Sequence, residues 1–442
     1  MIKKKDTYLC SVILTVMINK RILEIILSEQ VQELAVKAQM ALCKRKEEDL
    51  VNLNSNMAQV VIGVRRSGKS TLCFNVLRHA GVKYAYVNFD DERLEGLSAK
   101  DLNTVLEVLY KINGDFSHLF LDEIQNVNGW HLFVNRMLRQ GMKILITGSN
   151  AKLLSGELAT HLTGRHNPIE LSPFSFSEYC AYKGIDTTTL TTKAEALRRG
   201  AFDAYLAQGG FPELLLEDDN KQYVGNLVDN IIKRDIQQRY RIRYFAAFER
   251  MAHHLMNVAP TLLAPADLTA TFGFGSSQTT NNYIQHLKQA YLLVGLSKYA
   301  AKSKLRVTDE KVYTVDVALM DKRPDAFVGE NLGWRLETVV YIELRRRTKT
   351  DGYDIYYYKK HPRAKEVDFV VCKGNKVIRM YQVAYDITNG KTRKREITSL
   401  VQASQSLNCK ELYLITDYER DTVKQGDCSI SIIPAHEWLL EQ

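Results

Sequence analysis

One octet constrains this chain more than any other feature: Gly63-Val-Arg-Arg-Ser-Gly68-Lys69-Ser70, which fits G-x-x-x-x-G-K-[ST]. It follows the buried-strand run Val60-Val61-Ile62 and precedes Thr71-Leu72-Cys73-Phe74-Asn75-Val76-Leu77, which reads as a helix opening. A strand feeding a glycine loop that opens a helix brings backbone N–H groups and a helix N-terminus to one point, a cradle for phosphate oxygens. Gly63, Arg65, Arg66, Ser67, Gly68, Lys69, Ser70 and Thr71 are therefore expected to hold a nucleotide. In that arrangement Lys69 reaches the β- and γ-phosphates and the Ser70 hydroxyl joins a Mg²⁺ shell.

About fifty residues on, His118-Leu-Phe-Leu-Asp122-Glu123 reads as a hydrophobic strand ending in two carboxylates. Asp122 suits the magnesium shell, and Glu123 suits the general base that orients and deprotonates an attacking water. A third strand, Lys143-Ile-Leu-Ile-Thr147-Gly148-Ser149-Asn150, also ends in polar residues. In a parallel sheet these ends face the ligand, so Thr147, Ser149 or Asn150 can sense the γ-phosphate; Ser149 and Asn150 serve equally as caps of a helix beginning near Ala151. Arg165, after Gly164, is the next arginine, either a finger on a neighbouring subunit's phosphate or a solvated surface residue.

In this order, Gly63–Ser70, Asn88-Phe89-Asp90-Asp91, Leu121-Asp122-Glu123-Ile124-Gln125, Ile146-Thr147-Gly148-Ser149 and Leu162-Thr163-Gly164-Arg165 resemble an AAA+-type P-loop ATPase. The likeness is to a prokaryotic group that carries a C-terminal domain of unknown function. It extends through Glu170 to Tyr179, Gly209-Gly210-Phe211-Pro212-Glu213 and Arg234-Asp235, from about residue 17 to the C-terminus. It implies an α/β fold with a parallel-sheet core, ATP and Mg²⁺ as ligands, hydrolysis to ADP and phosphate, and a homo-oligomer.

The chain divides into a leader and helical segment (1–50), the ATPase core (51–184), a helical lid (185–245), a winged-helix-like module (246–305) and an α/β domain (306–442). In the module, Ser276 is expected to cap a helix that buries Tyr283, Ile284 and Leu287 and turns Gln278, Thr280, Asn282 and Gln285 outward, where they can read base edges. Residues 251–300 hold only two lysines and no arginine, so a packing or hinge role is the alternative. His253-His254 and Trp334 show no metal-ligand spacing. The last domain resembles the PD-(D/E)XK restriction-endonuclease-like fold. Glu337 then matches the helix acid, Asp368 the metal-binding aspartate and Gln382 the second metal position. Ala384 stands where the lysine belongs, which points to a fold without cleavage activity unless Lys365 or Lys394 substitutes.

Net charge is +9, and residues 301–400 carry 22 Lys and Arg against 14 Asp and Glu. The excess gathers around Arg345-Arg346-Arg347, Lys359-Lys360 and Lys391 to Arg395, among Tyr353, Tyr356, Tyr357 and Tyr358. DNA or RNA, if bound, is expected there. Seven scattered cysteines without a close pair fit reduced thiols in the cytoplasm and no zinc site. The run Tyr8–Met17 is too short to span a bilayer, and Met17 is an alternative start to Met1. These readings converge on an ATP-driven switch acting on nucleic acid or on a nucleic-acid-bound partner. The alternatives are an assembly ATPase with protein partners only, and an ATP-gated nuclease.

Overall fold

The apolar run before the glycine loop becomes a strand and the run after it a helix, and the strand pairs with others of its kind in one sheet. The computed structural model describes residues 19–37, 43–149, 162, 164–216, 222–300, 309–320, 331–361 and 363–441. The expected leader, Asn150, the helix start at Ala151 and Thr163 lie outside them. Strands β1 (Ala58–Ile62), β2 (Tyr84–Asn88), β3 (His118–Asp122), β4 (Lys143–Gly148) and β5 (His166–Glu170) form a wholly parallel sheet in the order β2-β3-β4-β1-β5. Helices α1 (Lys20–Lys37), α3 (Leu102–Asn113) and α4 (Trp130–Arg139) bring Leu23, Leu27, Leu109 and Phe133 against Val60 and Ile62. On the other face α2 (Lys69–Ala80) sets Leu72, Cys73 and Leu77 against Val61, Phe120 and Leu145. Burial on both faces explains why these strands read as continuous apolar runs without alternation. This is the AAA+ P-loop NTPase fold within a mixed α/β chain.

The chain then turns helical. In α5 (Phe176–Lys183) Ser175 and Glu178 form a reciprocal capping box. The helices α6 (Thr192–Gln208) and α7 (Tyr223–Asn230) follow, and α7 runs into a π-helical segment, Ile231–Gln237. Next come α8 (Phe245–Asn257), β6 (Thr261–Leu262), α9 (Pro265–Phe272), α10 (Ser277–Gln289), β7 (Leu293–Ser297) and β8 (Glu310–Thr314), the three strands pairing antiparallel in the order β6-β8-β7. Ser276 caps α10 as expected, and Tyr283, Ile284 and Leu287 are buried. Thr280 corrects the sequence expectation: it is fully buried, its Oγ1 2.6 Å from that of Thr269, so it cannot face a base. A threonine is tolerated at that buried position because its hydroxyl finds a partner on the packed helix.

The C-terminal part opens with α11 (Leu332–Asp351) and continues into β9 (Asp354–Lys359), β10 (Glu366–Lys373), β11 (Lys376–Val383), α12 (Gly390–Leu407), β12 (Glu411–Thr416), β13 (Asp421–Gln425), β14 (Cys428–Pro434) and α13 (Ala435–Leu440). The mixed sheet has the order β13-β14-β12-β11-β10-β9. Phe369, Val371, Tyr381 and Trp438 share a core with Phe176, Phe202 and Tyr205 from α5 and α6. Val370, Cys372 and Met380 face α12 instead, the two-residue period of a strand covered on both sides.

Candidate nucleotide site

The glycine loop leaves β1 in a path only glycine permits. A Cβ on Gly63 would lie 2.0 Å from the Leu171 carbonyl oxygen. Ser67 is buried, and its hydroxyl has no hydrogen-bond partner among the described residues. Arg45, which sequence patterning did not single out, braces the loop from outside: its buried guanidinium donates to the carbonyls of Ser67 (3.0 Å) and Ser172 (2.7 Å) and to Glu178 Oε1 (2.9 Å). It also lies over the Phe174 ring, 4.8 Å from the centroid. Burial alone would raise the Glu178 carboxyl, but Arg45 and Arg346 hold it down at about 2.

At the end of the neighbouring strand β3, Asp122 is buried and accepts from Ser70 Oγ at 2.8 Å, from Tyr86 OH at 3.2 Å and from Thr147 Oγ1. Adjacent oxygens of an octahedral Mg²⁺ shell lie about 3 Å apart, so Ser70 and Asp122 fit one such shell. Burial, then Glu123, raises the Asp122 carboxyl, while Thr147, Ser70 and Lys69 oppose the rise. Glu123 sits in the left-handed region at φ 52° and its N–H donates to Thr147 Oγ1 at 3.0 Å. Its Oε2 accepts from Gln125 Nε2, from Ser149 N (3.2 Å) and from Ser149 Oγ (3.3 Å), and its Oε1 is 3.9 Å from Lys69 Nζ. Thr147 and Ser149 therefore hold the two acids; for Ser149, spacing alone had left capping as an equal alternative.

Lys69 is buried and donates to the Val64 carbonyl at 3.0 Å. Burial pulls its pKa down, and Glu123 and Asp122 oppose the fall without cancelling it. Arg65 Nε pairs with Asp235 of the π-helical segment and its Nη1 with Asp90, each at 3.2 Å. Arg66 pairs with Glu213 at 2.5 Å. The Gly209–Glu213 loop is anchored behind: Gly210 N donates to Asp316 Oδ2 at 2.9 Å, and Phe174 N to the Gly210 carbonyl at 2.7 Å. Burial pushes the Asp316 carboxyl up to about 6 against the hydrogen bonds from Ala318 and Gly210. Lys69, Ser70, Asp122 and Glu123, together with Phe174 and Tyr182, line a cavity of about 720 Å³. Thr71 is exposed on the first turn of α2 and also lines it.

Arg165 lies elsewhere. It precedes β5, where His166 pairs with Ala58 at the start of β1, so it marks the opposite end of the sheet from this chain's own glycine loop.

The second candidate site assembles in part. Glu337 on α11 and Asp368 on β10 come together around Lys311 of β8, which no spacing pattern named; Lys311 Nζ is ion-paired with Glu366 and 3.6 Å from Glu337 Oε1. Burial would lower the Lys311 pKa, but Glu337, Asp368 and Glu366 raise it overall. Gln382 instead donates to Glu396 on α12 at 3.0 Å. Lys365 and Lys394 are exposed. The Arg345-Arg346-Arg347 run does not form a surface patch. Arg345 pairs with Glu170 at 2.6 Å, Arg346 donates to the Pro173 carbonyl, and Arg347 donates to Glu343 (2.9 Å) and the Trp438 carbonyl (2.7 Å). His253, for which the spacing offered no metal partners, comes within 4.8 Å of carboxylate oxygens of Asp229 and Glu249. No described helix is long and apolar enough to cross a membrane.

Residues 55–180 match the AAA domain, residues 199–323 a domain of unknown function (DUF8612) and residues 332–438 another (DUF4143). Among whole proteins, the uncharacterized protein MJ1544 of Methanocaldococcus jannaschii is 32% identical over 443 residues, 96% of each chain. An uncharacterized protein of Haemophilus influenzae is 28% identical over 403 residues, 88% of this chain and 95% of that one. Two solved structures each cover 60% of the chain. One is the replication initiator DnaA bound to AMPPCP and single-stranded DNA (14% identity, 91% of that chain, TM-score 0.25). The other is AMPPCP-bound DnaA from Aquifex aeolicus (15%, 88%, TM-score 0.24). Fold and site together define an AAA-type P-loop nucleotide-binding domain. The chain belongs to the family of the Methanocaldococcus protein, with that domain followed by two domains of unknown function.

Proposed function

We propose that this chain is a Mg²⁺-dependent ATPase whose turnover shifts its helical and C-terminal parts against the AAA domain, and that those parts act on nucleic acid or on a nucleic-acid-bound partner. The observation that carries the reading is the convergence of Lys69, Ser70, Asp122, Glu123 and Thr147 at one end of the sheet. Lys69 and the loop N–H groups bind the phosphates, while Ser70 and Asp122 hold Mg²⁺, which when bound neutralises charge on the β- and γ-oxygens. Glu123 takes the proton of the water that attacks the γ-phosphorus, as ADP leaves with the bridging oxygen. Arg165, remote from its own pocket, serves a neighbouring copy in a homo-oligomer. The paired helices α9 and α10 with the β6-β8-β7 sheet act as a winged-helix-like module, which carries the expected boundary at 305/306 past β8, and the part from α11 onward acts as an endonuclease-like domain without cleavage activity. The site of action is the cytoplasm.

A second reading, protein partners only, is favoured by the inward turn of Arg345, Arg346 and Arg347, which removes three cations from the expected nucleic-acid surface. Lys360, Arg363, Lys365, Lys391 and Lys394 remain exposed.

Calorimetric ATP binding and phosphate release test the main reading. Lys69→Ala is expected to lose nucleotide binding, and Glu123→Gln to retain it while turnover falls about 10²- to 10⁴-fold. Unchanged affinity in the first, or full turnover in the second, overturns the assignment.

A further inference from the structure

Lys311 and Tyr313 are two residues apart on β8, so both side chains leave the same face of the strand. That face meets α11: Tyr313 OH donates to Glu337 Oε1 at 2.7 Å, and Lys311 Nζ stands 3.6 Å from the same oxygen. Lys311 is also paired with Glu366 and lies over the Tyr357 ring, 5.6 Å from its centroid. The third carboxylate, Asp368, is buried beside a register irregularity between Val367 and Val370, the kind of bulge that re-aims a side chain, and accepts from Val383 N at 2.8 Å. Two acids, Glu337 of α11 and Glu366 of β10, therefore pair with one ammonium, and the charge of a third, Asp368, acts on it from beyond contact; the ammonium arrives from a strand outside the matched C-terminal domain of residues 332–438.

We propose that the Lys311 ammonium is the resident cation of this carboxylate cradle, standing where an endonuclease-like domain would place a divalent metal, and that it thereby fastens the β6-β8-β7 sheet to the C-terminal domain. The proposal rests on the reading of that domain as endonuclease-like and without cleavage activity. A divalent ion needs oxygens at 2.0–2.6 Å, and at Glu337 and Glu366 it has to compete with the ammonium already paired to them. Its charge would add repulsion at short range. The side chains of Lys311, Glu337 and Glu366 are 13%, 16% and 26% exposed, so little solvent competes for the pairs. An internal lysine also explains how a domain with alanine at position 384 keeps its acids together without metal.

Mn²⁺ binding by the full-length, nucleotide-free protein, read from the electron paramagnetic resonance of free Mn²⁺, tests this. Wild type and Asp368→Asn should bind the same amount, whereas Lys311→Met should bind one additional ion per chain, lost again in the Lys311→Met/Asp368→Asn double variant. Wild-type binding that Asp368→Asn removes, or no gain in folded Lys311→Met, overturns the proposal. Amine acylation of the wild-type protein followed by mass spectrometry gives a readout that needs no variant. Lys311 should react at least tenfold more slowly than exposed Lys360, and equal rates overturn the clamp. Incubation with DNA and Mn²⁺ separates the clamp from the reading beneath it. Cleavage by wild type that Asp368→Asn abolishes overturns the silent-domain reading and the proposal with it. Absent cleavage with no Mn²⁺ gain in Lys311→Met overturns the proposal alone.

Discussion

Arg65 of the phosphate loop and Asp235 of the π-helical segment are 170 residues apart in the chain yet paired, with Nε 3.2 Å from Oδ2 and Nη2 3.5 Å from Oδ1. The arginine that borders the phosphate cradle is thus held by a carboxylate of the helical part, and a nucleotide's phosphates must compete with that carboxylate. Asp235→Asn keeps the shape and removes the charge. It should tighten ATP binding severalfold, where tenfold would be about 1.4 kcal/mol. Calorimetry checks this, and weaker binding in the variant would refute the competition.

Arg45 and Glu178 have side chains only 4% and 6% exposed. Arg45→Met leaves a buried carboxylate without its cation, a loss of about 3–5 kcal/mol. The midpoint of urea unfolding should fall accordingly, with partial recovery in Arg45→Met/Glu178→Gln. A change below about 1 kcal/mol would show that the pair is dispensable.

Asp316 carries a pH signature. Its carboxyl is raised from the ordinary 3.8 to about 6, so the native state holds this proton more firmly than the unfolded chain does. The associated stability is fully present below 3.8 and is lost as pH rises through about 6. Asp316→Asn cannot ionise, so the variant should gain on wild type between pH 4 and pH 7. Denaturant midpoints across that range measure the difference, and a constant offset would contradict it.

Charge reversal distinguishes buried from exposed cations. Lys391→Glu with Lys394→Glu should weaken DNA binding and flatten its salt dependence, by about one unit of slope for each phosphate left unneutralised. Arg345→Gln should lower thermal stability and leave the slope alone, because Arg345 is tied to Glu170. A fall in slope with Arg345→Gln, or none with the lysine pair, would reverse the assignment of the surface.

The nucleotide site was legible because its parts are local: a strand, a glycine loop, a helix start and two strand ends whose spacing announces them. The pairings of Arg45, Asp235 and Lys311 were not, since their partners lie 133, 170 and 26 or 55 residues away and spacing carries no register for such pairs. Arg345, Arg346 and Arg347 misled for a geometric reason. Three consecutive helical residues spread over about 200° of arc, so a helix buried on most of its circumference must pair some of them inside. Thr280 misled in the reverse sense, as a polar residue whose hydroxyl partner is invisible in the sequence.

The core that joins Phe176 and Phe202 to Phe369 and Trp438 sets a schedule for the nascent chain. During synthesis, roughly 230 residues separate Phe202 from the last of its covering partners, about 10–50 s at 5–20 residues per second. Through that interval the aromatic side chains of α5 and α6 lack part of their native cover. The ribosome must pass Trp438 before the region beside the nucleotide pocket is sealed.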